Sequence, residues 1–488
     1  MIRYTLSAII ISSLLFLVAC GNLVNDELSA DDQDQRDVIP GSTGFGEIIG
    51  NNFSISGKVR IQSASGEGYF ISSTIIGESG RDELWLSYSD KDANRKWSAT
   101  LNNTTTNDRI SRIETIDKDN ILIFADRYYF DPAAPTVSTD ADLIIIKVNS
   151  SSGIVWQKCL GSLDKNIVYS TLMTNDGGML AAGISVVPVE TGSSVANEYR
   201  PYVIRIGPDG DVIWKKDYKI YLNAAQKKYF ETIRPLDITN LGNDEYLISG
   251  TAVIPSNNKL ATFYCVIDGR AEGISDEGTA FGGGMILRST YIKAGEDTVT
   301  LLGNISYTGN LVSVTSIADS SDTAKYSILI MNKETLKVIS TKNYEFESFR
   351  VQSGIIKHAS GDFTIGGMIK PTSGKGIYTI TFSRYGIIKN LNTKYYNNIP
   401  QDFITVEFNN IFEDSGFAYI VRLNSPGLNK EIFIDNYTAP AVSKSIIQKA
   451  EVIVVIDDPN IQEVESGGEY DNSALAENAD PGLVFSRN

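Results

Sequence analysis

The 488-residue chain has one histidine, His358, and three cysteines, Cys20, Cys159 and Cys265. A single imidazole excludes multi-histidine zinc ligation, and any Ser-His-Asp relay would rest on one side chain in the strand-like segment Ile355-Ile356-Lys357-His358, which reads as structural. Cys-pair metal spacings, a phosphate-cradling glycine loop and a G-x-S-x-G elbow are all missing. Asp90-Lys91-Asp92-Ala93-Asn94 opens like a calcium loop, but Arg95 stands at the place of the turn glycine and Leu101 at that of the bidentate acid, so a solvated turn is expected. There is no basic stripe with interleaved aromatics. At a net charge of −16 the chain would be repelled by phosphate backbones, which argues against nucleic-acid binding. Helix-period apolar segments are also lacking. No metal, cofactor or catalytic residue is assigned.

What is present is material for a large β core: 42% apolar residues, with 24 Tyr and 19 Phe. The negative charge is concentrated at the ends. Residues 21–40 hold six acids against Arg36, and residues 457–488 hold eight against Arg487, so the middle of the chain is close to neutral. Both flanks carry too little apolar surface to fold alone and are expected to be disordered.

The first twenty residues run from Arg3 through the apolar stretch Ile9–Phe16 to Leu17-Val18-Ala19-Cys20-Gly21. A charged start, a short hydrophobic region and small residues at the end describe an export leader, too short for a comfortable bilayer span. Leu17-Val18-Ala19-Cys20 resembles the lipobox of bacterial lipoproteins. That resemblance implies acylation of the Cys20 thiol, removal of residues 1–19, and several acyl chains on one residue, enough for stable attachment. By resemblance to enterobacterial sorting rules, Gly21 rather than aspartate after the cysteine favours the outer membrane if the cell is Gram-negative. The expected layout is a signal peptide (1–19), an acidic tether (20–52), a folded domain (53–457) and an acidic tail (458–488). Cys159 and Cys265 fall in apolar runs of non-neighbouring repeats, so two buried free thiols are expected.

Between residues 53 and 457 one theme recurs: a polar or glycine turn, an apolar strand and often a glycine. Asp119-Asn120-Ile121-Leu122-Ile123, Asp176-Gly177-Gly178-Met179-Leu180-Ala181-Ala182-Gly183 and Asn243-Asp244-Glu245-Tyr246-Leu247-Ile248-Ser249-Gly250 are clear copies. The first apolar residues after each turn are 69, 121, 179, 246, 299, 363 and 417. A β-branched run follows, as in Leu143–Val148 and Tyr202–Ile206, and then a tight turn into a tryptophan strand at Ser152–Trp156 and Asp209–Trp214. Short strands bounded by Gly, Asn and Asp turns indicate antiparallel sheet. The fold expected is all-β: a single β-propeller of seven four-stranded blades, with an array of two-layer sandwiches as the alternative.

Residues 143–160 and 202–218 resemble the quinoprotein-like propeller repeat, whose blades end in a glycine turn leading to a strand tryptophan. Elsewhere Val338-Ile339 and Ile388-Lys389 stand at the tryptophan's place. The resemblance implies architecture, with the tryptophans packing between blades. The layout of tether plus propeller is similar to the lipoprotein subunit of the outer-membrane protein assembly machine. Long connections are read at Arg127–Ala141, Val186–Pro201, Ile254–Thr262 and Ser306–Lys325, all on one face. Tyr128, Tyr129, Phe130, Tyr199 and Tyr307 in these connections suit contact with an envelope protein or a saccharide. The functional expectation is a membrane-anchored, non-catalytic binding or scaffold module of the cell envelope. The alternative is an envelope hydrolase or lyase acting on polysaccharide with carboxylates in the propeller funnel.

Overall fold

The computed structural model describes residues 60–396 apart from short stretches between strands, the strand pair Phe403–Ile411 and Phe417–Leu423, and a few very short strands outside these. The leader, Cys20, Phe130 and most of the tether and tail lie outside the described residues. Within them there is no helix, and hence none long and apolar enough to cross a membrane.

Six antiparallel sheets follow one another along the chain, each a four-stranded meander. The first is Arg60–Ser63, Gly68–Ile76, Asp82–Asp90 and Arg95–Asn102; the second is Thr106–Thr115, Asn120–Tyr129, Ala141–Asn149 and Gly153–Leu160. The third is Lys165–Met173, Met179–Thr191, Ser194–Ile206 and Val212–Asn223, and the fourth Ile233–Gly242, Glu245–Ile254, Lys259–Asp268 and Ile286–Lys293. The fifth is Thr300–Tyr307, Asn310–Ala318, Thr323–Asn332 and Val338–Glu347, and the sixth Phe349–Lys357, Phe363–Ile369, Lys375–Phe382 and Ile388–Tyr396. The first strand of each sheet touches the first strand of the next. Strand 403–411 continues the series beside the sixth sheet and also touches strand 60–63 of the first. First strands gathered around an axis with sheets radiating outward define a β-propeller.

The reason such a sequence folds this way is visible in Ile121-Leu122-Ile123-Phe124-Ala125. Side chains on a strand alternate between faces, and a sheet exposed on one side would need polar residues at every second position. Here Ile121, Ile123 and Ala125 pack against the first sheet, while Leu122 and Phe124 pack against the third. The core is accordingly not one cluster but a layer in each gap between neighbouring sheets. Cys159 and Cys265 are buried free thiols in the second and fourth sheets, as expected.

Tryptophan packing between blades also holds. Trp156 of the second sheet lies against Gly210 of the third, where a Cβ would meet its ring at 2.9 Å and where φ is +86°. Trp214 lies in the same way against Gly284 of the fourth sheet and donates its indole N–H to the Arg270 carbonyl at 3.0 Å. The glycine that closes the recurring second-strand motif has a different cause. At Gly183 and Gly250 a Cβ would meet the carbonyl oxygens of Ile167 and Arg234 at 1.9 and 2.0 Å, where the first strand bulges toward its partner.

Two expected connections differ. Val186–Pro201 is not a loop but strand, paired from Val186↔Tyr199 to Thr191↔Ser194, since β-branched Val187, Val189 and Thr191 favour continued pairing. Ser306–Lys325 contains the end of a first strand, the turn at Thr308-Gly309 and a whole second strand, Asn310–Ala318. The turn-plus-strand pattern of residues 295–303 thus marks a first strand in this sheet, where in the others it marks a second.

Candidate functional site

First strands present an unpaired backbone edge to the axis, and such edges need partners. Each of four first strands also carries a bulge, whose extra residue is Ser111, Tyr169, Leu236 or Leu302. A bulge residue drops out of the ladder, leaving its carbonyl free. Arg60 donates from the first sheet to the Ser111 carbonyl at 3.0 Å, and Arg112 from the second to the Tyr169 carbonyl at 3.3 Å. Gln62 donates to the Ile113 carbonyl at 3.3 Å. Side chains of one sheet therefore hold the exposed edge of the next.

Two carboxylates join this arrangement. Glu114 accepts from the Thr171 hydroxyl at 2.9 Å, and that hydroxyl in turn accepts from Arg112 Nε at 2.7 Å. The Arg112 guanidinium comes within 3.7 Å of Glu114. Asp237 accepts from the Asn304 backbone N–H at 2.6 Å and from its side-chain amide at 3.1 Å, joining the fourth sheet to the fifth. Thr239 donates to Asp237 Oδ2 at 3.3 Å, and Asn304 Nδ2 also bonds Ser249. Partial burial desolvates both acids and raises both: Asp237 to about 6, against the opposing pull of Asn304 and Arg112, and Glu114 above its ordinary range, against Arg112 and Thr171. Water still reaches 23% of the Glu114 side chain and 33% of Arg112. Two buried atoms of the group, Arg60 Nε and Asn304 Oδ1, have no hydrogen-bond partner among the described residues. Chemically the cluster can brace the ring, and it also places two carboxyls of raised pKa near a guanidinium.

The raised Asp237 has a consequence for stability. Its folded value of about 6 lies above the ordinary 3.8, so between these values the native state keeps a proton that the unfolded chain releases. Stability therefore falls as pH rises through that window, by about 1–3 kcal/mol, and is flat above it. Asp237→Asn, which can still accept from Asn304, is expected to flatten this slope in urea unfolding measured from pH 4 to 7.5.

Sequence reasoning passed over Arg60, Arg112, Glu114, Asp237 and Asn304. The available signal was the pattern Arg60-x-Gln62, Arg112-x-Glu114 and Asp237-x-Thr239, polar residues two apart on first strands. The residues it did name are scattered. Tyr128 is buried, beneath Arg109 at 5.3 Å, near the end of strand Asn120–Tyr129. Tyr129 closes that strand. Tyr199 is 45% exposed on the extended hairpin of the third sheet. Tyr307 lies at the opposite end of the sheets, beside a first-to-second turn, donating to the Arg384 carbonyl at 2.9 Å. Its displacement follows from the strand reassignment in the fifth sheet. His358 opens a turn and bonds Thr364 Oγ1 at 2.7 Å, in keeping with a structural role.

No protein-family model and no curated protein matches the sequence. Solved structures with a similar backbone include the NanB sialidase of Streptococcus pneumoniae, 10% identical over 76% of this chain and 72% of that one, with a TM-score of 0.39. Extracellular domains 1–2 of Drosophila semaphorin 1b are 7% identical over 80% and 87%, with a TM-score of 0.40. The polysaccharide lyase Uly1 is 12% identical over 83% and 95%, with a TM-score of 0.42. Similarity of this degree transfers no activity, substrate or partner to this chain.

Proposed function

We propose that this protein is a lipid-anchored, non-catalytic binding or scaffold module of the bacterial cell envelope, acylated at Cys20 and built on a seven-bladed propeller. The strand pair 403–423 is the visible part of the seventh blade, and its contacts with both the sixth and first sheets support closure at that number. Binding runs through the face that carries the second-to-third connections, toward an envelope protein or saccharide.

One observation carries this reading. The hairpin of Met179–Thr191 and Ser194–Ile206 is paired over thirteen residues, but the first strand reaches only to Val186 and the fourth pairs with the third only from Tyr202 inward. Residues 187–191 and 194–200 thus carry the second and third strands past the first and fourth on the loop face, as a two-stranded arm. An isolated hairpin is marginal in water and gains stability when a partner covers it or extends its edge. Exposed Tyr199 at its base supplies the amphipathic ring favoured at interfaces. Replacing residues 187–198 with a two-residue turn is expected to abolish crosslinking to the partner in intact cells while leaving the melting temperature within about 2 °C, as surface changes do. Unaltered crosslinks in that deletion would sink the reading.

The axial carboxylates favour a second reading, an envelope hydrolase or lyase acting on polysaccharide. Glu114 and Asp237, both raised, stand beside Arg112 and two buried polar atoms with spare bonding capacity. Release of sugar from envelope polysaccharide by the wild type, and its loss in Glu114→Gln, would favour this reading over the first.

A further inference from the structure

Of nine large hydrophobic side chains exposed among the described residues, seven lie along one rim of the propeller, at or just after the third-to-fourth turns. The other two, Ile76 and Tyr199, lie toward the opposite, loop-bearing face. The seven are not random. In every one of the six sheets the fourth strand begins with a bulge, and the extra residue is Lys96, Val155, Ile213, Leu287, Ile339 or Lys389 in chain order. The four central positions are aliphatic and 50%, 37%, 39% and 59% exposed. None belongs to a core cluster. Scattered exposed aliphatics need no explanation, but the same outward position filled four times in succession does.

Bases answer part of the acidity around this arc. Four carboxylates on the same rim are tied to bases, Asp90 to Lys96 at 2.6 Å, Asp211 to Lys158 at 3.0 Å, Glu245 to Arg288 at 2.6 Å and Asp362 to Lys389 at 2.5 Å, while Asp117, Asp209, Glu272 and Glu334 stand exposed in its turns. Arg270 and Arg384 stack over the rings of Phe281 and Tyr385 at 4.5 and 5.1 Å, and Ile274 and Ile387 stand exposed in the same two turns. Aliphatic side chains beside aromatic rings and long cationic stems are the composition of a membrane-interface surface.

We propose that this rim rests in the headgroup region of the bilayer to which the chain is anchored; the proposal depends on the anchor at Cys20. A globular partner buries a contiguous patch, whereas these side chains trace an arc across four sheets, and a planar lipid surface accepts separated side chains one by one. The chain outside the domain permits the orientation. Ser54–Ile55 pairs with Ile75 and Ile76, so the tether joins at the loop face, about 30 Å of strand length from the rim. The 32 residues between Cys20 and Phe53 reach up to about 110 Å when extended. That is ample to pass the domain's edge and bring the opposite rim down, leaving the hairpin arm facing away from the membrane.

The test uses the full mature lipoprotein reconstituted in vesicles of phosphatidylethanolamine and phosphatidylglycerol, with single labelling sites introduced by Val155→Cys, Leu287→Cys, Ile339→Cys, Ile76→Cys or Tyr199→Cys. Native Cys159 and Cys265 are buried, and unchanged melting curves check that each variant is folded. An environment-sensitive fluorophore at 155, 287 and 339 is expected to shift to the blue and to be quenched by nitroxide lipid, while labels at 76 and 199 are not. Equal exposure of both faces in chains that float with the vesicles overturns the docking and leaves the anchor standing. Chains that fail to float overturn the anchor and the docking together. Shielding that appears only with added envelope extract, or without lipid as protein concentration rises, overturns it in favour of a protein partner or a second copy.

Discussion

Asp108→Ala is expected to destabilise the domain by about 3–5 kcal/mol, the cost of leaving a buried charge without its partner. Asp108 and Arg127 stand directly opposite each other on the first two strands of the second sheet. The guanidinium grips the carboxylate in two parallel bonds, Nε to Oδ1 at 2.9 Å and Nη2 to Oδ2 at 2.8 Å. Their side chains are only 2% and 4% exposed. Neither group can turn to water when the other is removed. The sign of the double replacement separates this cause from simple loss of packing. Asp108→Leu with Arg127→Met removes both charges and fills similar volume, and is expected to recover most of the loss. Urea unfolding of the two singles and the double measures the coupling. Additive losses in the double would mean that the pair is not the origin.

Trp214→Ala is expected to cost about 3–5 kcal/mol for a different reason, the cavity left by a large ring. Trp214 is 7% exposed and belongs to the apolar layer between the third and fourth sheets, where Val203, Tyr218, Phe263 and Tyr291 also pack. Its edge rests on Gly284 and its N–H ends on the Arg270 carbonyl. Trp214→Phe retains much of the buried area but leaves that carbonyl without its donor, so a loss of about 1–2 kcal/mol is expected. Thermal unfolding should rank the three proteins in that order. The Trp214→Ala ring should loosen first between these two sheets, visible as faster hydrogen exchange in strands 212–223 and 286–293 than in the first and sixth sheets.

Much of this architecture could be read before any coordinates. The run Ile121–Ala125 is apolar at every position because a propeller sheet is covered on both faces, and Gly210 before Trp214 announces a ring that lies against the next sheet's turn. The reading slipped where two similar signals compete. In the fifth sheet both Gly295–Gly303 and Thr308–Val314 look like a turn leading into an apolar strand, and only the pairing Thr300↔Ser316 decides which is first. It slipped again at Val186–Pro201, where a long connection was expected and the second and third strands instead continue pairing to Thr191↔Ser194. The axial cluster was the least legible. Its members come from five first strands separated by fifty or more residues, and what brings Arg112 to Thr171, or Asp237 to Asn304, is the bulge and the gathering of first strands around the axis, neither of which leaves a local motif. Polar residues at alternate places on an apolar strand were the only trace.

The two thiols enclosed in separate sheets have a practical implication. Cys159 and Cys265 sit apart in different apolar layers and form no disulfide, so the packing of these sheets leans on no oxidative crosslink. Maturation of the ring is thus indifferent to oxidant supply. The domain should assemble equally well in a reducing cytosol and in an oxidising envelope, and its resistance to denaturant should be the same with or without dithiothreitol.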